Sequence, residues 1–62
     1  MTIEEVIKQV EEETGKKVLP ITELKDVVDD SLDFLALMLR LNIPDEKVAG
    51  INTVHDLYLA AQ

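Results

Sequence analysis

The sequence predicts an all-α domain, a small bundle of three principal helices plus one short helix. Three observations predict it. Apolar residues recur at helical spacing in separate segments of the chain. Two segments open on capping boxes, Thr2-Ile3-Glu4-Glu5 and Thr53-Val54-His55-Asp56. No run alternates with the two-residue period of a strand. At 62 residues the chain holds one domain at most, spanning 1–62.

In the first helix Thr2 caps and Glu5 reaches back. Ile3, Val6, Ile7 and Val10 follow at i, i+3, i+4 and i+7, which lines up one helix face. Gly15 is the natural stop, so the helix spans about residues 2–14. Residues 16–29 keep no sustained period, and Pro20 disfavours helix at Leu19. They predict a long loop pinned to the core by Val18, Leu19, Ile21, Leu24, Val27 and Val28, with one helical turn at Glu23 to Val27. A loop of that length in a compact domain is often functional.

The next helix starts at Asp30 or Ser31, either of which can cap it. Leu32, Leu35 and Leu39 form one stripe, and Phe34, Leu37, Met38 and Leu41 a second. A helix apolar nearly all round is expected to be buried on most sides. At roughly 11 residues and about 16 Å, it should be the central element of the core. Asn42-Ile43-Pro44-Asp45-Glu46 ends it and opens the short helix, with Pro44 as first helical residue and Gly50 as stop. Val48 and Ile51 should point inward. In the last helix Val54, Leu57, Tyr58 and Ala61 repeat at helical spacing.

Composition narrows the function. Thirteen acidic residues against six basic ones give a formal net charge of −7. Such a chain is repelled by nucleic acid and anionic lipid and is suited to basic patches on partner proteins. The same charge also keeps a small protein soluble. The absence of cysteine excludes thiolate zinc sites and a cysteine nucleophile, and favours the cytoplasm. Met1 to Glu5 contains no basic segment or long apolar run, so no signal peptide is expected. A chain this short hardly supplies the rigid shell around an active site, so a non-enzyme is expected. Glu11-Glu12-Glu13 reads as a solvated face, and His55 as a surface residue beside Asp56.

One stretch stands out for chemistry. Asp30-Ser31-Leu32 puts a serine at the start of the most apolar helix, between acidic residues. Asp30-Ser31-Leu32 resembles the attachment motif of acyl and peptidyl carrier proteins. Leu37 to Leu39 resembles the apolar heart of that family's second helix, Ile43-Pro44-Asp45-Glu46 the opening of its third, and Ile51-Asn52-Thr53-Val54 the junction before its fourth. The segments occur in family order along nearly the whole chain.

The resemblance implies a small acyl-carrier-like four-helix bundle, monomeric and cytoplasmic. Ser31 would carry 4′-phosphopantetheine, taken from coenzyme A by a phosphopantetheinyl transferase. The arm's thiol would hold acyl or aminoacyl groups as thioesters for acyl-transferring or synthase enzymes in fatty acid, polyketide or related biosynthesis. Asp29, Asp30, Leu32 and Asp33 would meet basic docking patches on those partners. Nucleic acid, membrane and a bound metal are not expected. Val28 stands where the family has a glycine, Ala36 where it has a glutamate, and the segment from Ser31 to Ile43 is shorter than the family's. The shortened helix and the missing glutamate favour an alternative, a carrier-like bundle that is never modified and acts as a protein–protein interaction module, whereas the missing glycine bears only on the local turn. For Ser31 the plain alternative is a helix cap; for the aspartates it is a solvated helix start.

Overall fold

The computed structural model describes residues 1–62 as five helical segments: α1 (Ile3–Thr14), α2 (Leu24–Val27), α3 (Ser31–Arg40), α4 (Asp45–Val48) and α5 (Val54–Ala60). The fold is all-α, with one isolated antiparallel bridge, Glu23 to Thr53, and no strand. No helix is long and apolar enough to cross a membrane.

α1 forms as its pattern predicts. Thr2 Oγ1 accepts the Glu5 N–H at 3.2 Å, and Glu5 Oε1 accepts the Thr2 N–H at 2.9 Å. The Thr2 N–H holds the Glu5 carboxyl below the usual carboxylate range. Gly15 ends the helix at φ 71°, its N–H donating to the Glu11 carbonyl at 2.7 Å. That left-handed turn is where glycine is needed. Val6 and Val10 are fully buried. α1 packs against both α3 and α5, which makes it, rather than α3, the hub of the bundle.

α3 corrects a second expectation. Leu37, Met38 and Leu41 are buried and Phe34 packs against them, but Leu32, Leu35 and Leu39 face solvent. The cause is a shortage of cover. α1 takes one side, while α2 and α4 have four residues each and cannot wrap the other. The end of α3 is a Schellman turn: Asn42 sits at φ 56°, its N–H donates to the Leu39 carbonyl, and the Ile43 N–H donates to the Met38 carbonyl. Ile43 is buried with Met38 as that motif requires.

Residues 16–29 are held less by side chains than expected. Val18, Leu24 and Val28 are buried, but Leu19 and Ile21 are largely exposed. Backbone bonds hold this stretch instead. The Leu24 N–H donates to the Asn52 carbonyl at 2.8 Å, the Val54 N–H to Thr22 at 3.0 Å and the His55 N–H to Pro20 at 2.9 Å. The first amides of α2 and α5 thus find acceptors in each other's leading loops. Glu11-Glu12-Glu13 is also more than a solvated face. Glu11 accepts the Val18 N–H, and Glu12 and Glu13 grip Arg40 at 2.9 and 3.2 Å.

Pro44 is the N-cap of α4, with extended ψ of 141°, not its first helical residue. Val48 packs on the core, Ile51 is buried, and Gly50 lies in the turn beyond the Ala49 cap. α5 carries its capping box: Thr53 Oγ1 accepts the Asp56 N–H, and Asp56 Oδ2 accepts from Thr53 and Asn52. The Thr53 and Asn52 amides hold the Asp56 carboxyl below the usual range. Val54 and Leu57 are fully buried and Tyr58 packs at the edge. Eleven buried residues drawn from α1, α2, α3, α5 and the connections form a single core.

Two expectations follow. A β-branched residue is strained at positive φ, so Asn42→Val should lower stability by about 1–2 kcal/mol in chemical denaturation, while Asn42→Gly is tolerated. Asp56 has a folded pKa below its unfolded one, so the folded state binds fewer protons in acid. Its stabilisation is complete above the unfolded value and is lost as pH falls through the folded one. Melting temperatures followed from about pH 5 down to about pH 2 should fall less steeply in Asp56→Asn than in the parent.

Candidate functional site

The site is the start of α3, where an acidic run meets an apolar one. Asp30 is the N-cap: its Oδ1 accepts the Leu32 N–H at 2.9 Å, and its carbonyl accepts the Phe34 N–H at 3.1 Å. Ser31 is therefore the first helical residue, and its hydroxyl is not consumed by capping. The side chain is exposed, and no protein group hydrogen-bonds to Oγ. The Ser31 and Asp33 amides likewise have no protein acceptor. Free amides and the positive end of the helix dipole make this position hospitable to a negative group on Ser31.

The neighbouring candidates divide. Asp29 is exposed and faces Lys16 across 3.7 Å, a surface pair of little energetic weight. Asp33 is exposed and pairs with no cation. Leu32 lies largely in solvent immediately after Ser31. Asp29, Asp30, Leu32 and Asp33 thus flank Ser31 at the start of α3, all of them exposed.

The structure adds what periodicity did not reveal. Ser31 stands on the rim of an open-sided cleft of about 320 Å³. Leu24, Val28, Phe34 and Ile51 line it with apolar surface. Lys25 and Asn52 add polar groups, and Lys25 is the one cation there, 3.8 Å from Glu23. The cleft exists because the bond from Leu24 to Asn52 joins α2 to the junction before α5. Such a long-range backbone bond leaves no local trace in sequence. The only available signal was that residues 16–29 are too apolar for a free loop.

Chemically, Ser31 is a hydroxyl open to solvent with no base in contact. A serine of that kind is a poor nucleophile by itself but is available to a separate catalyst. No group of three or more histidine, aspartate or glutamate side chains is arranged to hold a metal ion. His55 is exposed on α5, with its ring 6.1 Å from that of Tyr58. Compared with known proteins, the chain matches no protein-family model, no curated protein and no solved structure.

The division of labour between Asp30 and Ser31 can be measured. Asp30→Ala should cost about 1 kcal/mol through loss of the cap, whereas Ser31→Ala should change stability by less than about 0.5 kcal/mol. Urea melts of the two variants beside the parent read both values.

Proposed function

We propose that this protein is a non-catalytic carrier of acyl or aminoacyl groups, with Ser31 as the attachment point for 4′-phosphopantetheine. One observation carries the reading: the Ser31 hydroxyl is exposed at the head of α3 and left unused because Asp30 does the capping. The surroundings fit the group. A phosphodiester on Oγ would lie near the free amides of Ser31 and Asp33. The apolar-floored cleft beside it offers a resting place for part of an arm.

In attachment, the Ser31 oxygen would attack the phosphorus of coenzyme A that bears pantetheine. The new P–O bond forms as the pyrophosphate bridge breaks, adenosine 3′,5′-bisphosphate leaves, and the serine proton passes to a base. The chain places no base at Ser31, so base and metal belong to a phosphopantetheinyl transferase. When attached, the group supplies a terminal thiol that holds cargo as a thioester. Asp29, Asp30, Leu32 and Asp33 would present the site to basic patches on acyl-transferring or synthase enzymes in the cytoplasm.

A second reading is favoured by a specific observation. Leu32, Leu35 and Leu39 leave an apolar row in solvent, and Ala36 beside them is exposed too. A bundle that is never modified and works through that surface would be an interaction module.

Mass spectrometry after incubation with coenzyme A, Mg²⁺ and a broad-specificity phosphopantetheinyl transferase separates the readings. The carrier gains one phosphopantetheine, and Ser31→Ala gains none. If transferases that load known carriers leave the folded parent unmodified, the carrier reading fails and the interaction module stands.

A further inference from the structure

Lys25 is the one nucleophilic side chain near Ser31 that still lacks a task. It borders the same cleft of about 320 Å³ as Ser31 and is the one amine there. It stands in α2, next to Leu24, whose N–H donates to the Asn52 carbonyl at 2.8 Å and whose side chain is buried. The lysine backbone is therefore fixed at the edge of the cleft. Its ammonium pairs with Glu23 at 3.8 Å, and the two side chains are 76% and 48% exposed. An exposed pair of this length is weak and leaves the amine free to move.

Position separates Lys25 from the other lysines. Lys16 pairs with Asp29 at 3.7 Å but does not border the cleft. Lys47 borders a different surface hollow, with Leu59 and Ala60. Lys8 and Lys17 border neither. The floor beside Lys25 is apolar, made by Leu24, Val28, Phe34 and Ile51. Such a floor favours the apolar body of an acyl group over open water. A thioester drawn onto it lies beside the one amine of the rim, and a tethered pair reacts as if highly concentrated.

Resting on the carrier reading above, we infer that Lys25 is a self-acylation site, taking the acyl group from a thioester on the Ser31 arm. The unprotonated Nζ attacks the thioester carbonyl. A C–N bond forms, the C–S bond breaks, and the proton shed by nitrogen ends on the departing thiolate. The amide is stable where the thioester is labile, so the transfer runs one way. It removes one of the six basic charges and leaves the acyl group beside the cleft floor. An amine attacks only when unprotonated, so transfer speeds up with pH. Glu23, Asp29 and Asp30 share the cleft with it. Carboxylates do not titrate above neutral pH, so a rise there reports the amine.

The test loads the intact protein from butyryl-coenzyme A with Mg²⁺ and a broad-specificity phosphopantetheinyl transferase, then removes both reagents by gel filtration. The loaded protein stands at pH values from about 7 to about 9. Hydroxylamine then strips the remaining thioester, and peptide mass mapping locates the butyryl amides. Lys25 should carry about fivefold more amide than any other lysine, in a yield that rises with pH and not with protein concentration. Lys25→Arg, which keeps the charge, should lose that signal, and Lys47→Arg should match the parent. Ser31→Ala mixed with free butyryl-coenzyme A should show no preference for Lys25. The inference is overturned if the loaded protein yields no amide, if amide spreads evenly over the lysines, or if yield follows protein concentration. It is also overturned if Ser31→Ala is acylated at Lys25 as strongly from the free thioester, since the arm then plays no part. Absence of the loading mass gain overturns the carrier reading and this inference with it, whereas a gain without amide overturns this inference alone.

Discussion

The structure turns on a backbone clasp between two loops that are far apart in the chain. Thr22 and Pro20 accept the first amides of α5, Asn52 accepts the first amide of α2, and Glu23 pairs with Thr53 between them. Each helix start carries amides that its own turn cannot satisfy. Here two helices answer that need reciprocally, without a side-chain cap on α2. The clasp holds Leu24 and Ile51 together as core residues and as the cleft's apolar lining. It thereby decides what Ser31 looks onto. Closing so long a loop costs conformational entropy, and three short backbone bonds over buried apolar side chains offset it.

α3 shows how one helix can serve two ends. Its inner face joins the core through Leu37 and Met38, while its outer face and its first turn remain in water. The placement of Asp30 one residue before the helix matters as much as the serine itself. Had Ser31 been the cap, its oxygen would have been committed to a backbone amide. With Asp30 in that role, the hydroxyl projects from a rigid first turn yet owes nothing to stability. On the carrier reading proposed above, a group that another protein would have to reach is well kept on a fixed element with free surroundings.

The parts of this fold that were legible in the sequence are those set by local chemistry. The capping boxes at Thr2 and Thr53, the glycine stop at Gly15 and the inward face of α1 depend on residues within a turn or two of each other. So does the exposed start of α3. What was not legible depends on supply and demand across the molecule. Both stripes of α3 are apolar, so the pattern could not say which one α1 would cover. Leu19 and Ile21 look like anchors, but the backbone of their loop is held by its carbonyls, so the side chains are free to point out. The cleft beside Ser31 needs the bond between Leu24 and Asn52, which lie 28 residues apart. Pro44 was displaced by one position because its extended ψ keeps it outside the helix it introduces.

Size explains why an apolar row survives in solvent at all. A short chain has too little mass to cover every apolar residue it carries. Here α1 is the one long helix besides α3, and it is shared between α3 and α5. An exposed row of this kind gains nothing in folding and invites association. The chain instead offsets the row with carboxylates at both ends and a net charge of −7. Mutual repulsion between copies carrying that charge opposes pairing along the row. In a bundle of this size the row is what remains of α3 once α1 has covered its other face.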